Sequence, residues 1–315
     1  MNRSCLSLLC LSFLFSSACA DEKKSKTVSV LTVGNSFAEN ALTYLPALAI
    51  DAGHRVVEGR ANLGGCTMER HWKHVAAFQK DPESKDGSPY GKGTLSLDGM
   101  LKNRNWDFIT MQQVSFKSHD LDTYYPYAKD LYHFIKERAP DSKIMAHQIW
   151  AYRVDDPRFV PKNAGKEPHT HQEMYEQVRK AYHSFAKEFD LGIIPSGDAM
   201  YLADVDPEFG YKPDPEFDFE NAKPPALPDQ THSLHTGWYW KKNDSGESAL
   251  KIDGHHAGNA GKYLLGCVWF EVLFGESVVN NGFVPEGIEP DYAAFLRKKA
   301  HEAVENLKAE TAVTK

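Results

Sequence analysis

The chain is 315 residues long, 42% hydrophobic and 12% aromatic, with a formal net charge of −7. This is enough apolar material for a large core in one large or two small domains, and it excludes a disordered chain. The charge is spread without long acidic or basic runs, which excludes the electrostatic footprint of a nucleic-acid binder.

Residues 1–20, MNRSCLSLLCLSFLFSSACA, run from the basic Arg3 through an apolar stretch to small residues before Asp21. This pattern predicts a secretory signal, too short for a membrane span, followed by a polar linker at 21–26, and so an exported protein, periplasmic or secreted. Lipid attachment at Cys19 is the alternative, although Ser16 stands where a lipoprotein signal usually carries leucine. Only Cys66 and Cys267 then remain. A disulfide between them and two buried thiols are both open, and neither cysteine sits in zinc-site spacing.

In chain order, VSVLTVGNSF (Val28 to Phe37) reads as a buried parallel strand ended by glycine, and FAENALTYLPALAIDAG as an amphipathic helix. Ser36 therefore falls where a strand turns into a helix at the carboxyl edge of a sheet, the edge where open α/β sheets bind ligands. It is a candidate nucleophile; the plainer reading is that Asn35 or Ser36 caps the helix.

A second strand is expected over Arg55–Ala61, closed by Gly64-Gly65, then a helix to Phe78, an exposed loop at 81–94 and a short helix over Leu95–Leu101. Phe108–Met111 reads as a third strand ending in Gln112-Gln113, Asp122–Arg138 as a helix, and Lys143–Trp150 as a fourth strand. A proline-rich loop at 151–170, a helix from Met174 to Phe189 and a fifth strand over Leu191–Ile194 follow. This alternation predicts a three-layer α/β/α domain over 27–282 with a five-stranded parallel, flavodoxin-like sheet.

Residues 201–250 lack periodicity and read as one long loop whose aromatics either stack on sugar rings or hold the loop down. An apolar helix after Gly261 and a terminal helix in 283–315 complete the domain.

Ser36, Gly64-Gly65 and Gln112-Gln113 all fall at strand ends, and Asp253 and His256 precede the apolar helix. Acyl transfer gives each a task. A serine needs an imidazole to take its proton, the imidazole needs a carboxylate to fix its tautomer, and the oxyanion needs pre-placed donors. Those donors are the backbone N–H of Ser36, a glycine N–H and a side-chain amide.

The blocks GNSF, ANLGGCTM, WDFITMQQVS and DGHH before AGNAGKYL resemble the SGNH (GDSL-type) hydrolase superfamily. The nearest likeness is an exported bacterial branch with a GNSF first block, and it spans most of residues 27–275. The resemblance implies a Ser36–His256–Asp253 triad and an oxyanion hole of Ser36, Gly65 and Gln112. Gln112 replaces the asparagine that gives the superfamily its name, with Gln113 as the alternative.

Two departures accompany this: Asn35 stands where many members have aspartate, and the third-block asparagine has no clear match; His255 adjoins the base, but the D-x-x-H interval selects His256. The pairs His169/His171 and His232/His235 have metal-ligand spacing but no H-E-x-x-H framework, and solvated histidines are the expectation. The reading is thus an exported serine esterase acting on an ester, a carbohydrate O-acetyl group by family analogy, without metal or organic cofactor. The alternative is a glycan-binding or surface protein that kept the fold and lost catalysis.

Overall fold

The computed structural model describes residues 24–159 and 168–313. The predicted signal segment and Cys19 lie outside the described residues. Five strands form one parallel sheet: β1 (Thr27–Gly34), β2 (Arg55–Asn62), β3 (Phe108–Met111), β4 (Lys143–His147) and β5 (Gly192–Ile194), in the order β2-β1-β3-β4-β5. From Val28 onward β1 is buried, as its continuous apolar run requires of a central strand covered on both faces. Val33 pairs with Met111, and Met111 with Ala146. Continued by one residue, this register sets Gly34, Gln112 and His147 side by side along the carboxyl edge.

The helices are α1 (Ser36–Leu42), α2 (Leu45–Asp51), α3 (Met68–Lys80), α4 (Leu97–Lys102), α5 (Tyr127–Arg138), α6 (His171–Glu188), α7 (Ser196–Asp204), α8 (Asn259–Phe274) and α9 (Pro290–Val313). Helix α8 packs against α1, α2, α7 and α9 in one layer, while α3, α4 and α5 pack together in another. Leu264, Leu265, Val268, Trp269 and Phe270 of α8 are buried, as expected of a helix apolar on every face. It ends on Gly275 at φ +67°, the left-handed cap that glycine adopts without a Cβ penalty.

Three sequence expectations are corrected. The single helix after Ser36 is two, because Pro46 occupies the first turn of α2 and cannot continue α1. The helix predicted from Asp122 starts at Tyr127, with Pro126 at its N-cap and a short 3₁₀ turn over Leu121–Tyr124 before it. The fourth strand stops at His147 rather than Trp150, since its neighbour β5 ends at Ile194 and the next residue, Pro195, has no N–H for a ladder.

The stretch 201–250 is not one loop either. It closes α7, and from His235 it forms an antiparallel hairpin, β6 (His235–Lys242) with β7 (Ser248–Ala257), that carries the chain to Asp253 and His256. Between them, residues 205–234 are irregular, fastened by indole N–H groups: Trp240 Nε1 donates to Ala226 O (2.8 Å) and Trp238 Nε1 to Asp155 Oδ2 (3.3 Å). Trp240 thus holds the irregular segment to the hairpin. Among the described residues, no helix is long and apolar enough to cross a membrane.

Candidate active site

The site is built on the β1–α1 turn. Asn35 is the N-cap of α1: its Oδ1 accepts from Phe37 N at 3.1 Å, and its Nδ2 donates to Cys66 O at 3.1 Å. Ser36 follows as the first helical residue, so its own N–H has no intrahelical acceptor, and it makes no hydrogen bond among the described residues. The cap reading thus belongs to Asn35, which leaves the Ser36 hydroxyl available.

Across 220 residues of sequence, His256 Nε2 lies 2.8 Å from Ser36 Oγ, and His256 Nδ1 lies 2.8 Å from Asp253 Oδ2. The aspartate sits within the strand β7, which runs on to Ala257. There Gly237 pairs with Asp253 and His235 with Ala257 across a register shift in the hairpin. Two ties hold this end against the first turn: Ala257 N donates to Asn40 Oδ1 of α1 (2.9 Å), and Trp150 Nε1 donates to the His255 carbonyl (2.9 Å). Phe37 stacks on Trp150 with centroids 4.3 Å apart, and its ring lies 5.9 Å from that of His256.

Asp253 is shared. His255 Nδ1 contacts Oδ1 at 2.8 Å, and the backbone N–H groups of His255 and His256 also point at that oxygen, at 3.3 and 3.0 Å. Partial burial works against its charge. The two imidazoles and the His256 N–H outweigh that and hold the carboxyl far below the usual carboxylate range. His255 is the neighbour that sequence spacing set aside as base, and here it is a second donor to the same carboxylate.

The predicted oxyanion donors are placed unequally. Gly65 sits in the turn between β2 and α3 at φ +59°, with open space where a Cβ would be. Gly64 has no such backbone demand. Gln112 is buried at the sheet edge, its Nε2 donating to Asn35 Oδ1 (2.8 Å) and its Oε1 2.8 Å from His147 Nδ1. A primary amide carries two hydrogens, so one N–H of Gln112 is uncommitted by this bond. Gln113 turns away: its Oε1 accepts from Met68 N and Val114 N, and its Nε2 donates to Thr123 O.

Sequence reasoning missed His71 and His147, both fully buried beside the nucleophile turn. No local motif marks them, since their partners are 37 and 35 residues away. It also misjudged two other histidines. His171 and His235 are buried, not solvated: His235 Nε2 donates to Ala151 O (3.0 Å), and His171 faces Asp204 at 3.6 Å.

Two groups have ligand atoms close enough together for a metal ion: Asp253/His255/His256 and Glu271/His301/Glu305. In the first, Asp253 is already paired with both histidines. In the second, Glu271 is occupied by His301 Nδ1 and Val278 N. Cys66 and Cys267 are both buried free thiols, which closes the disulfide alternative; burial pushes the Cys66 thiol up to about 12.

Among solved structures, the chain is similar to a DUF4886 family protein from Bacteroides uniformis, at 26% identity over 88% of this chain and 95% of that one, with a TM-score of 0.65. It shares 16% identity with a candidate SGNH hydrolase from Slackia heliotrinireducens over 78% of this chain and 98% of that one (TM-score 0.46). With a lipase/acylhydrolase from Enterococcus faecalis it shares 12% over 79% and 96% (TM-score 0.44). No curated protein matches the chain. The family model for a domain of unknown function, DUF4886, matches residues 29–205, which include Ser36, Gly65 and Gln112 and stop before Asp253 and His256. On that match over more than half its length, the chain belongs to the DUF4886 family.

Proposed function

We propose that the protein is an exported serine esterase. The observation that carries this reading is the unbroken run Ser36 Oγ, His256 Nε2, His256 Nδ1, Asp253 Oδ2, with both hydrogen bonds at 2.8 Å. In the reaction, Ser36 Oγ attacks the ester carbonyl while His256 Nε2 takes its proton, and ionised Asp253 stabilises the imidazolium and fixes its tautomer. The tetrahedral oxygen is received by the N–H groups of Ser36 and Gly65 and the uncommitted N–H of Gln112. His256 then returns its proton to the leaving alcohol. The acyl-enzyme is released by water along the reverse path, with His256 again as base.

The substrate we propose is a short acyl ester, an O-acetyl group on a carbohydrate. Support comes from the shallow setting of Ser36, which is partly exposed, and from Trp238, on the strand that pairs with the Asp253 strand, with Phe219 of the irregular segment against it (ring centroids 4.8 Å apart). The signal-like residues 1–20 support export.

The test is turnover of p-nitrophenyl acetate and acetate release from acetylated glycans by wild type and Ser36→Ala. The serine variant should lose on the order of 10³-fold or more in kcat/KM. Retention of most activity by Ser36→Ala would remove the triad, and esterase activity without acetate release from any glycan would remove the carbohydrate.

A further inference from the structure

Two buried imidazoles support the turn that bears Ser36, His71 directly at Gly34 O and His147 through Gln112, and backbone groups of known polarity fix the direction of the hydrogen bonds along both paths. On one side the fixed end is Cys66 C=O, which can only accept, so the group facing it at 3.1 Å is the Asn35 amide nitrogen. Asn35 Oδ1 therefore faces Phe37 N–H, which can only donate, and also Gln112 at 2.8 Å. Gln112 must present its nitrogen there and its Oε1 to His147. An amide oxygen only accepts, so His147 Nδ1 carries a proton. Its Nε2 lies 3.1 Å from Ser196 Oγ, which accepts the indole N–H of Trp269 at 3.2 Å. The Ser196 hydrogen is then free to point at His147 Nε2. Full burial pushes the imidazole down to about 3, so it is neutral and Nε2 is bare.

On the other side the fixed end is Gly34 C=O, which lies 2.9 Å from His71 Nε2. That nitrogen must donate. His71 Nδ1, 2.8 Å from Tyr90 Oη, then accepts the phenol proton, and burial keeps this imidazole neutral as well. Gly34 O also receives Leu63 N–H at 3.2 Å, and Cys66 N returns to Leu63 O at 3.1 Å, so the turn containing Gly65 is tied to the same two residues.

We propose that His71, as the Nε2–H tautomer, and His147, as the Nδ1–H tautomer, are positioning residues. Together they clamp Gly34 and Asn35, and through them the Ser36 hydroxyl and the Gly65 turn. The inference rests on Ser36 being the nucleophile, and it adds two one-way hydrogen-bond chains: Trp269 to Ser196 to His147 to Gln112 to Asn35 to Cys66, and Tyr90 to His71 to Gly34. Neither imidazole touches the reacting atoms. Each acts by leaving one orientation for the amides that frame them.

The test is two-bond ¹⁵N–¹H spectroscopy of histidine-labelled full-length protein from pH 5 to 8, with His71→Gln and His147→Gln used to assign the signals. Two imidazoles of opposite tautomer, unchanged across that range, are expected. His147 protonated at Nε2, or either ring titrating within the range, overturns the proposal.

Ser196→Ala and Tyr90→Phe each remove the hydroxyl that donates to one of the two imidazoles. Each should lower kcat about 10-fold with KM within 2-fold, and slow fluorophosphonate labelling of Ser36 by the same factor; Ser196→Thr should restore both. If both variants melt lower than wild type yet keep wild-type kcat and labelling, the imidazoles merely support the fold and the proposal fails. Activity surviving in Ser36→Ala would instead defeat the esterase reading, and the tautomer result would stand by itself.

Discussion

The Asp253 carboxylate receives four N–H groups: two imidazole nitrogens at 2.8 Å and two backbone amides at 3.0 and 3.3 Å. Such a carboxylate does more than lend charge. Because Oδ2 only accepts, His256 Nδ1 must carry the proton and Nε2 must be bare toward Ser36, which is the form a general base needs. Asp253→Asn keeps the shape but offers one acceptor oxygen instead of two. If that oxygen serves His255 and the backbone, the amide N–H faces His256 Nδ1 and drives the proton to Nε2, so the base can no longer accept from Ser36. The expected result is a kcat reduced ~10³–10⁴-fold with KM little changed, the range that wrong-tautomer substitutions produce in serine triads. Steady-state kinetics on p-nitrophenyl acetate check it, and a loss under 10-fold would mean Asp253 does not set the tautomer.

Among the elements, the turn between β2 and α3 separates two adjacent glycines that the sequence could not rank firmly. Both have open space at the Cβ position, but only Gly65 has positive φ, at +59°. Gly65→Ala should therefore fold with a stability loss of ~1–2 kcal/mol from the left-handed backbone alone. Its kcat should fall further than strain explains, because relieving φ rotates the Gly65 N–H away from the oxyanion. Gly64→Ala should be near wild type in both, and thermal melting beside kcat separates the two effects. The strands β1 and β3 were legible because short apolar runs bounded by turn residues have few other readings. The β6–β7 hairpin was not. Aromatic residues on both faces blur its alternation, although Asn243-Asp244-Ser245-Gly246, with Gly246 at φ +85°, is a turn signal between two strand-like runs. The Asp253–His256 pair was legible because the two lie three residues apart. His71 and His147 were not, because they reach the nucleophile turn only through tertiary packing.

At the scale of the whole molecule, the buried imidazoles make stability depend on pH in a definite direction. Burial lowers His71 and His171 to about 4, and His147 and His235 to about 3. In the unfolded chain all four return to about 6.5. Above that value both states are neutral at these rings and the native state carries no penalty. As pH falls below 6.5, the unfolded chain binds protons that the native state refuses, so stability drops until the native pKa values are reached. Asp204 works the other way. Buried beside His171, its carboxyl is pushed up to about 7, so both members of that pair are neutral at pH 6, and the stability it contributes grows as pH falls toward 4. With His183 also lowered by burial, five depressed imidazoles against one raised carboxyl leave acid destabilisation in control, on the order of a few kcal/mol per pH unit between 6.5 and 4. Urea unfolding from pH 8 to 4 should give a midpoint that is flat above 7 and falls steeply below 6.5. His171→Gln should make that fall shallower. A midpoint unchanged between pH 7 and 5 would mean that these rings take up protons in place, and the neutral interior that fixes the nucleophile turn would have to be abandoned with them.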